Sequence, residues 1–273
     1  MSFLGAAPSL AELAGVRYLC TDIDDTLTTG GKLLPQTYQA LWDLAGVGIA
    51  VVPVTGGSAG WCEHIVRTWP VAAAIAESGA VAMTQDNGRV AFEFWESEAV
   101  QRQRQAEQLA FVAETLARHD GFGLAHDQAF RIADVAVDIA GHEPGAINAL
   151  AAEIRASGAT AAISSIHINS WIGRYDKRAM SERVLLALSG LSLAEAGGAV
   201  CFVGDSRNDA SMFSAIGNTF GVRNIVPYLD ELPVAPRWVS AISPVFWSAP
   251  IAKGADRGAS RNRRIRVTSP SRP

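Results

Sequence analysis

The chain has 273 residues, of which 49% are hydrophobic and 18% charged, so it can bury the core of one large domain or two modest ones. Its net charge is −4, but from Lys253 onward there are seven basic residues and one acidic residue. Subtracting these from the 23 basic and 27 acidic residues leaves 16 and 26, a net charge of −10. This acidic body argues against a nucleic-acid partner, and no apolar run reaches the ~18 residues of a membrane span.

The cysteines and the N-terminus predict a cytoplasmic location. The N-terminal residues show no basic stretch followed by an apolar one, as a secretory signal requires. Cys20, Cys62 and Cys201 are too few, and odd in number, for a disulfide framework. We expect them to be buried thiols in a reducing compartment.

Short apolar runs that end in polar or glycine-containing turns predict strands buried on both faces, as in a parallel sheet. Between them, apolar residues at helical spacing predict helices over Pro35–Ala45, Ala59–Trp69 and Lys177–Leu188. The alternation indicates an α/β core with a doubly wound parallel sheet. The predicted strand runs are residues 16–24, 48–57, 71–79, 199–206 and 219–224.

The pattern changes over residues 83–175, which predict an α+β module inserted into the core. An Asp-Asn-Gly turn at 86–88 precedes an alternating stretch, and a long polar helix is expected from Glu98 to Arg118. A helix over Pro144–Ala156 separates strand-like residues 135–140 and 160–172. The predicted core is therefore discontinuous, over residues 1–82 and 176–252. No final helix is evident after Val245, and residues 253–273 are expected to form a disordered basic tail.

Asp22 and Asp24 lie at the end of the first predicted strand and share a face of it. Two adjacent carboxylates repel each other unless a cation intervenes, and oxygen ligands suit Mg²⁺. A carboxylate can also attack phosphorus, and a second one can transfer a proton. The alternative is a solvated acidic turn.

Thr55, Gly56 and Gly57 end the second run, where a hydroxyl and free N–H groups at a helix start could bind an anion. A plain turn capped by Ser58 is the alternative. Lys177, at the start of a later helix, could neutralise a phosphoryl group or be a surface residue.

Asp205, Asn208 and Asp209 follow the fourth run, where they could bind a metal or cap the next helix. The four clusters fall at or beside the carboxyl ends of predicted parallel strands, the edge at which open α/β sheets bind ligands. Together these clusters could position a phosphoryl group and neutralise its charge, which are the two requirements of phosphoryl transfer.

In this order, DIDDT (22–26), VTGGS (54–58), Lys177 and GDSRND (204–209) resemble the four motifs of the haloacid-dehalogenase (HAD) superfamily. The insertion resembles its C2B-type cap, on a HAD Rossmann-like core. The chain is most similar to subfamily IIB hydrolases, which include Cof-type and sucrose-phosphate phosphatases.

The resemblance implies roles for individual residues. Asp22 would be the nucleophile and Asp24 the acid/base, a carboxylate that dehalogenases lack. Mg²⁺ would be held by Asp22, the Asp24 carbonyl and Asp205, supported by Asn208 and Asp209. The phosphate would contact Thr55, Gly56 and Lys177.

Two positions depart from the pattern. Many subfamily members have Arg where this chain has Gly57, which could weaken contact with an anionic substrate. Asp25 stands where Gly is common.

In the cap, alternation puts His167, Asn169 and Trp171 on one strand face, where they could contact a sugar or be a solvated outer face. The other four histidines show no ligand spacing and are interpreted as surface or locally satisfied residues; they are His64, His119, His126 and His142. The tryptophans are expected to pack in the core and the cap.

The expected function is Mg²⁺-dependent hydrolysis of a small phosphomonoester, a sugar or polyol phosphate. The alternatives are a phosphomutase and a non-catalytic module that binds a phosphorylated ligand. The sequence leaves the oligomeric state open.

Overall fold

The structure is a computed structural model that describes residues 3–240 and 248–259. The helices in these residues are, in chain order, α1 (Leu10–Leu13), α2 (Pro35–Gly46), α3 (Ala59–Thr68), α4 (Glu98–Leu116), α5 (Pro144–Ala156), α6 (Lys177–Ser189), α7 (Leu193–Ala196), α8 (Ala210–Ala215) and α9 (Ser248–Ala259). Across the described ranges, no helix is long and apolar enough to cross a membrane.

The strands in the same residues are β1 (Tyr18–Thr21), β2 (Thr28–Thr29), β3 (Lys32–Leu33), β4 (Ala50–Pro53), β5 (Ala74–Ala76), β6 (Val81–Asp86), β7 (Arg89–Phe94), β8 (Gly123–Leu124), β9 (Val135–Asp138), β10 (Thr160–Ile163), β11 (His167–Trp171), β12 (Val200–Gly204), β13 (Asn218–Gly221) and β14 (Trp238–Val239). β1, β4, β5, β12 and β13 lie inside or close to the five predicted strand runs, and β9, β10 and β11 lie inside the strand-like stretches of the inserted module. The two-residue strands β2, β3, β8 and β14 were not predicted.

A five-stranded parallel sheet in the order β14-β13-β12-β1-β4 forms the core, which confirms the predicted α/β fold. Successive side chains on each strand point to opposite faces. On β1, Leu19 packs in the cluster that holds residues of α2, α3 and α9, whereas Cys20 packs on the other face with residues of α6 and α8. Helices therefore cover both faces of the sheet. Because the side chains of the central strands are buried, each must be apolar or hydrogen-bonded.

The inserted module contains a four-stranded antiparallel sheet in the order β10-β11-β9-β8. One face packs against α4 and α5, with Val112, Leu150 and Ile154 in contact with the apolar side chains of the strands. The run predicted as one strand over 160–172 is a hairpin. Ser164 makes the turn, since its hydroxyl oxygen accepts the N–H of His167 at 3.0 Å.

Three expectations about the core and the C-terminal tail are wrong. The run at 71–79 is not a strand of the parallel sheet; β5 pairs antiparallel with β6, and one isolated parallel bridge joins Ile75 to Val54, the residue that follows β4. The β6–β7 hairpin, predicted as part of the cap, packs with the core through Val81, Met83 and Phe94. Residues 248–259 form α9, so part of the predicted disordered tail is helical. Residues 260–273, the rest of that prediction, lie outside the described residues.

The cap is joined to the core by a buried carboxylate, that of Glu77. Its oxygens accept the N–H groups of Ile132, Ala133 and Asp134 in the cap, at distances from 2.7 to 3.1 Å. They also accept the N–H of Ala59 at 2.9 Å, which caps the start of α3. Burial raises the pKa of Glu77 to about 8, but the hydrogen bonds oppose this shift, and donors facing both oxygens suit the carboxylate form.

We expect Glu77→Gln to lower the free energy of unfolding by about 2 kcal/mol, because the new NH₂ group must face a backbone N–H that loses its acceptor. Urea denaturation measures the change. The matched control is Glu93→Gln, at an exposed position on β7, which should leave stability unchanged. Equal stability of the two variants would contradict the assigned role of Glu77.

Candidate active site

The ends of neighbouring strands bring three predicted side chains to one edge of the core sheet. Asp22 follows β1, Thr55 lies just beyond β4, and Asp205 follows β12. Because β1 pairs with both β4 and β12 in parallel, their carboxyl ends meet at this edge. The β1 backbone continues this pairing, as the N–H of Asp22 donates to the carbonyl of Val203 at 2.9 Å.

Lys177 is buried beneath Asp22 and is not a surface residue. Its Nζ lies 2.6 Å from Asp22 Oδ1 and 2.7 Å from Asp209 Oδ1, and the three side chains are at most 5% exposed. Burial acts to lower the pKa of Lys177, but the two carboxylates raise it, so the ammonium stays charged. It holds the nucleophile candidate and the end of β12 together rather than lining the cavity above them.

Asp209 does not cap the following helix, α8, with its side chain, which instead makes two other kinds of contact. Its Oδ1 accepts from Lys177, while Oδ2 accepts the N–H of Asp205 at 3.0 Å and of Ser206 at 3.4 Å. It therefore caps the turn after β12 and also balances the charge of Lys177. A Cβ at Gly204 would lie 2.4 Å from Asp209 Oδ2, so glycine is required for this approach.

The donor set here fits a hard divalent cation. Asp22, Asp205 and Asp209 each place one carboxylate oxygen within 4.8 Å of the others. Burial raises the pKa of Asp22 to about 7, and burial with the charges of Asp22 and Asp209 raises the pKa of Asp205 to about 9. One ammonium does not balance these carboxylates, and oxygen ligands of this kind suit Mg²⁺. Since both oxygens of Asp209 are occupied, Asp22 and Asp205 are the better ligand candidates.

The turns of the first and second motifs have different causes, which are local in the first and remote in the second. Asp25 has φ of +56°, the left-handed conformation that favours glycine, and its N–H donates to Thr28 Oγ1 at 3.1 Å. Ser58 occupies the N-cap position of α3 without a side-chain cap hydrogen bond. Glu77 supplies that cap instead, a contact made by chain distant in sequence.

Core and cap together enclose a cavity of about 270 Å³. The core contributes Asp22, Asp24, Thr55, Gly56, Gly57, Trp61, Asp205, Ser206 and Asn208. The cap contributes His126, Asp127, Asp138, Ser164, Ser165, Ile166, His167 and Asn169. Five of these lining residues are carboxylic acids, and none is Lys or Arg. An anionic ligand therefore needs a cation at the acidic floor.

The structure separates the three cap residues that were predicted to contact substrate. His167 lines the cavity, and burial lowers its pKa, which favours the neutral ring. Asn169 reaches the cavity wall, but its NH₂ group donates to Gly56 O and Asp134 Oδ2 at 2.9 and 3.0 Å. Trp171 is wrongly predicted: it is buried away from the cavity, stacked on Tyr175 at 5.5 Å between ring centroids.

Sequence reasoning missed several residues at this site. Trp61 was expected in the interior, yet it is 40% exposed and lines the cavity. His126 was interpreted as a surface or locally satisfied residue, and Asp127, Arg131 and Asp134 were not singled out. Within residues 126–134 the sequence offers one indication of an ion-pair cluster, since Arg131 lies four residues after Asp127 and three residues before Asp134. The position of this segment against the second motif depends on the cap packing onto the core.

No family model matches the sequence, and no curated protein matches it. Among solved structures, the sucrose-phosphatase of Synechocystis sp. PCC6803, in complex with sucrose and phosphate, is 12% identical with a TM-score of 0.61 over 89% of this chain and 96% of its own. The C-terminal domain of C. albicans trehalose-6-phosphate phosphatase is 15% identical with a TM-score of 0.59 over 76% of each chain.

A haloacid dehalogenase-like hydrolase from Bacteroides thetaiotaomicron is 16% identical, with a TM-score of 0.59 over 89% of this chain and 99% of its own. At such identities the similarity shows the fold. The chain therefore has the fold of the haloacid-dehalogenase superfamily, with phosphatases of that superfamily among its structural neighbours.

Proposed function

We propose that the protein is a Mg²⁺-dependent phosphatase that hydrolyses a small phosphomonoester through an aspartyl phosphate on Asp22. The observation that carries this proposal is the position of Asp22, held by Lys177 in the cavity floor with Asp24, Thr55 and Asp205 around the same space. Solved phosphatases with this fold support it. A non-catalytic binding module would not require the second carboxylate, Asp24.

Asp22, the Asp24 carbonyl and Asp205 would hold Mg²⁺, with Asn208 and Asp209 supporting them. The cation would neutralise the acidic floor and the phosphoryl oxygens, which allows an anion into a cavity lined by carboxylates.

In the first step, an Asp22 oxygen forms a bond to phosphorus as the bond from phosphorus to the ester oxygen breaks. Asp24 donates a proton to the leaving alkoxide. In the second step, Asp24 removes a proton from water, and the water oxygen displaces Asp22 from phosphorus. Thr55 and the backbone near Gly56 would orient the phosphoryl group, and Lys177 would hold the Asp22 carboxylate in its attacking position.

The cap wall favours a neutral, hydroxyl-rich leaving group. Asp138, Ser164 and His167 of the cap can form hydrogen bonds with hydroxyl groups, and Trp61, on the core side of the cavity, offers a ring face. The absence of Lys and Arg among the lining residues disfavours a second anionic group on the substrate. These features support a sugar or polyol phosphate as the substrate, and neutral hydroxyl-bearing small molecules as products.

Asp22→Asn should reduce release of inorganic phosphate by at least about 1,000-fold, because the neutral amide cannot form the phosphoaspartate. A panel of sugar and polyol phosphates with Mg²⁺, assayed for free phosphate, measures the loss. Asp120→Asn, at an exposed cap position, is the matched control and should keep full activity. Turnover by Asp22→Asn would rule out the covalent route. Transfer between substrate hydroxyls without free phosphate would indicate a phosphomutase.

Mg²⁺ should raise the thermal unfolding temperature more at pH 8 than at pH 6. Burial raises the pKa values of Asp22 and Asp205 from 3.8 to about 7 and about 9, so in metal-free protein their contribution to stability is lost progressively as pH rises from about 4, and the loss is complete only above the two raised values. Mg²⁺ offsets the repulsion that develops, and its binding strengthens as the ligands lose protons.

Differential scanning fluorimetry in Mg²⁺, against NaCl of equal ionic strength, measures this difference. Asp205→Asn should abolish the Mg²⁺-dependent increase, and EDTA should abolish phosphate release by the unaltered protein. An equal effect of Mg²⁺ on Asp205→Asn and the unaltered protein would show that the cation binds elsewhere.

A further inference from the structure

One peptide group of the second motif, between Gly56 and Gly57, is held at both of its polar ends. The Gly56 carbonyl accepts hydrogen bonds from Arg131 Nη1 and Asn169 Nδ2, each at 2.9 Å. The Gly57 N–H donates to Thr55 Oγ1 at 2.9 Å. Because the carbonyl and the N–H belong to one planar unit, the donors that orient the carbonyl also orient the N–H.

Both donors to the carbonyl come from the cap and are themselves fixed. The Arg131 guanidinium is fully buried and bonds Asp134 Oδ1 at 2.7 Å and both oxygens of Asp127. Asn169, on β11, is 3% exposed and bonds Asp134 Oδ2. Asp134 is fully buried and accepts from both donors, so it sets their spacing.

This arrangement affects the hydroxyl group of Thr55, a residue that lines the same cavity as Asp22. A hydroxyl group has one hydrogen to donate and an oxygen that accepts. With the Gly57 N–H directed at that oxygen, the hydroxyl hydrogen remains for a ligand oxygen in the cavity. Gly56 permits the arrangement, because a Cβ there would lie 3.0 Å from Asn169 Oδ1.

We propose that Arg131 and Asn169 are positioning residues of the cap that orient the Thr55 hydroxyl toward the phosphoryl group through the Gly56–Gly57 peptide. This inference rests on the proposed function, in which Thr55 binds phosphate. A direct contact of Asn169 with the leaving group is disfavoured, because both hydrogens of its NH₂ group already have acceptors. The cap therefore orients a phosphate-binding hydroxyl group of the core and also contacts the leaving group.

The test uses two variants of the full chain, Asn169→Asp and Asn169→Ala. The first keeps the size of the side chain and removes the donor; the second removes the donor without adding charge. The matched control is Asn148→Asp, at an exposed position of α5 in the same cap. Three measurements are made: hydrogen exchange of the Gly57 amide by NMR, affinity for orthovanadate with Mg²⁺, and the steady-state kinetics of p-nitrophenyl phosphate hydrolysis, which give kcat and KM.

We expect the Gly57 amide to exchange about 10-fold faster in both variants, since its carbonyl partner loses one of two donors. Orthovanadate affinity should fall about 10-fold and kcat about 10- to 100-fold, because misplacement of a positioning group is costly. The control should match the unaltered protein in all three measurements.

Unchanged Gly57 exchange in the two folded variants would overturn the proposal, whatever their activity. A rise in KM with unchanged orthovanadate affinity would also overturn it, because it would place Asn169 against the leaving group. If the unaltered protein released no phosphate while Gly57 exchange still increased in the variants, the coupling would stand and the proposed phosphatase activity would fail.

Discussion

The buried ammonium of Lys177 is the interaction on which the candidate site depends. It bonds Asp22 at the end of β1 and Asp209 in the turn after β12, and its own helix begins where the chain returns from the cap. Three segments distant in sequence are thereby fixed at one sheet edge. Removing charges from water is costly unless they are paired and hydrogen-bonded, so each group requires the other two. After this pairing, carboxylate groups remain together at the floor of the cavity, and they form a site that fits a cation.

The cap is attached by polar groups rather than by an apolar interface alone. Glu77 accepts four backbone N–H groups from the cap loop and α3, and Arg131 and Asn169 donate to the Gly56 carbonyl. Such bonds need defined distances and directions, whereas apolar contacts tolerate sliding. A cap held in this way has a fixed position over the candidate site, and the same atoms that attach it also orient the second motif.

The positions of several helices could be predicted because they depend on residues that are close together in the sequence. Helix α5 has its predicted bounds, and α3 and α6 begin at the predicted residues, since apolar spacing and N-terminal signals act over a few residues. Other features were missed because their causes are remote. The sequence around Glu77 does not indicate that its carboxylate accepts hydrogen bonds from the backbone of residues 132–134. The alternation that placed Trp171 on the same strand face as Asn169 does not reveal that Tyr175 stacks on the Trp171 ring. The final helix, α9, was missed because Pro250 and Gly254 weaken its pattern.

The sequence by itself determined the kinds of chemistry available: an α/β core, carboxylates at the ends of β1 and β12, a hydroxyl after β4 and a lysine at the start of α6. These follow from strand periodicity and from the rule that parallel strands present their carboxyl ends at one edge. Only the tertiary structure decided the use of each group. Burial and partner distance fix whether a lysine is a surface charge or the counter-ion of Asp22, and whether Asn169 faces a ligand or a backbone carbonyl. Those quantities depend on contacts between segments up to 155 residues apart, which no local pattern encodes.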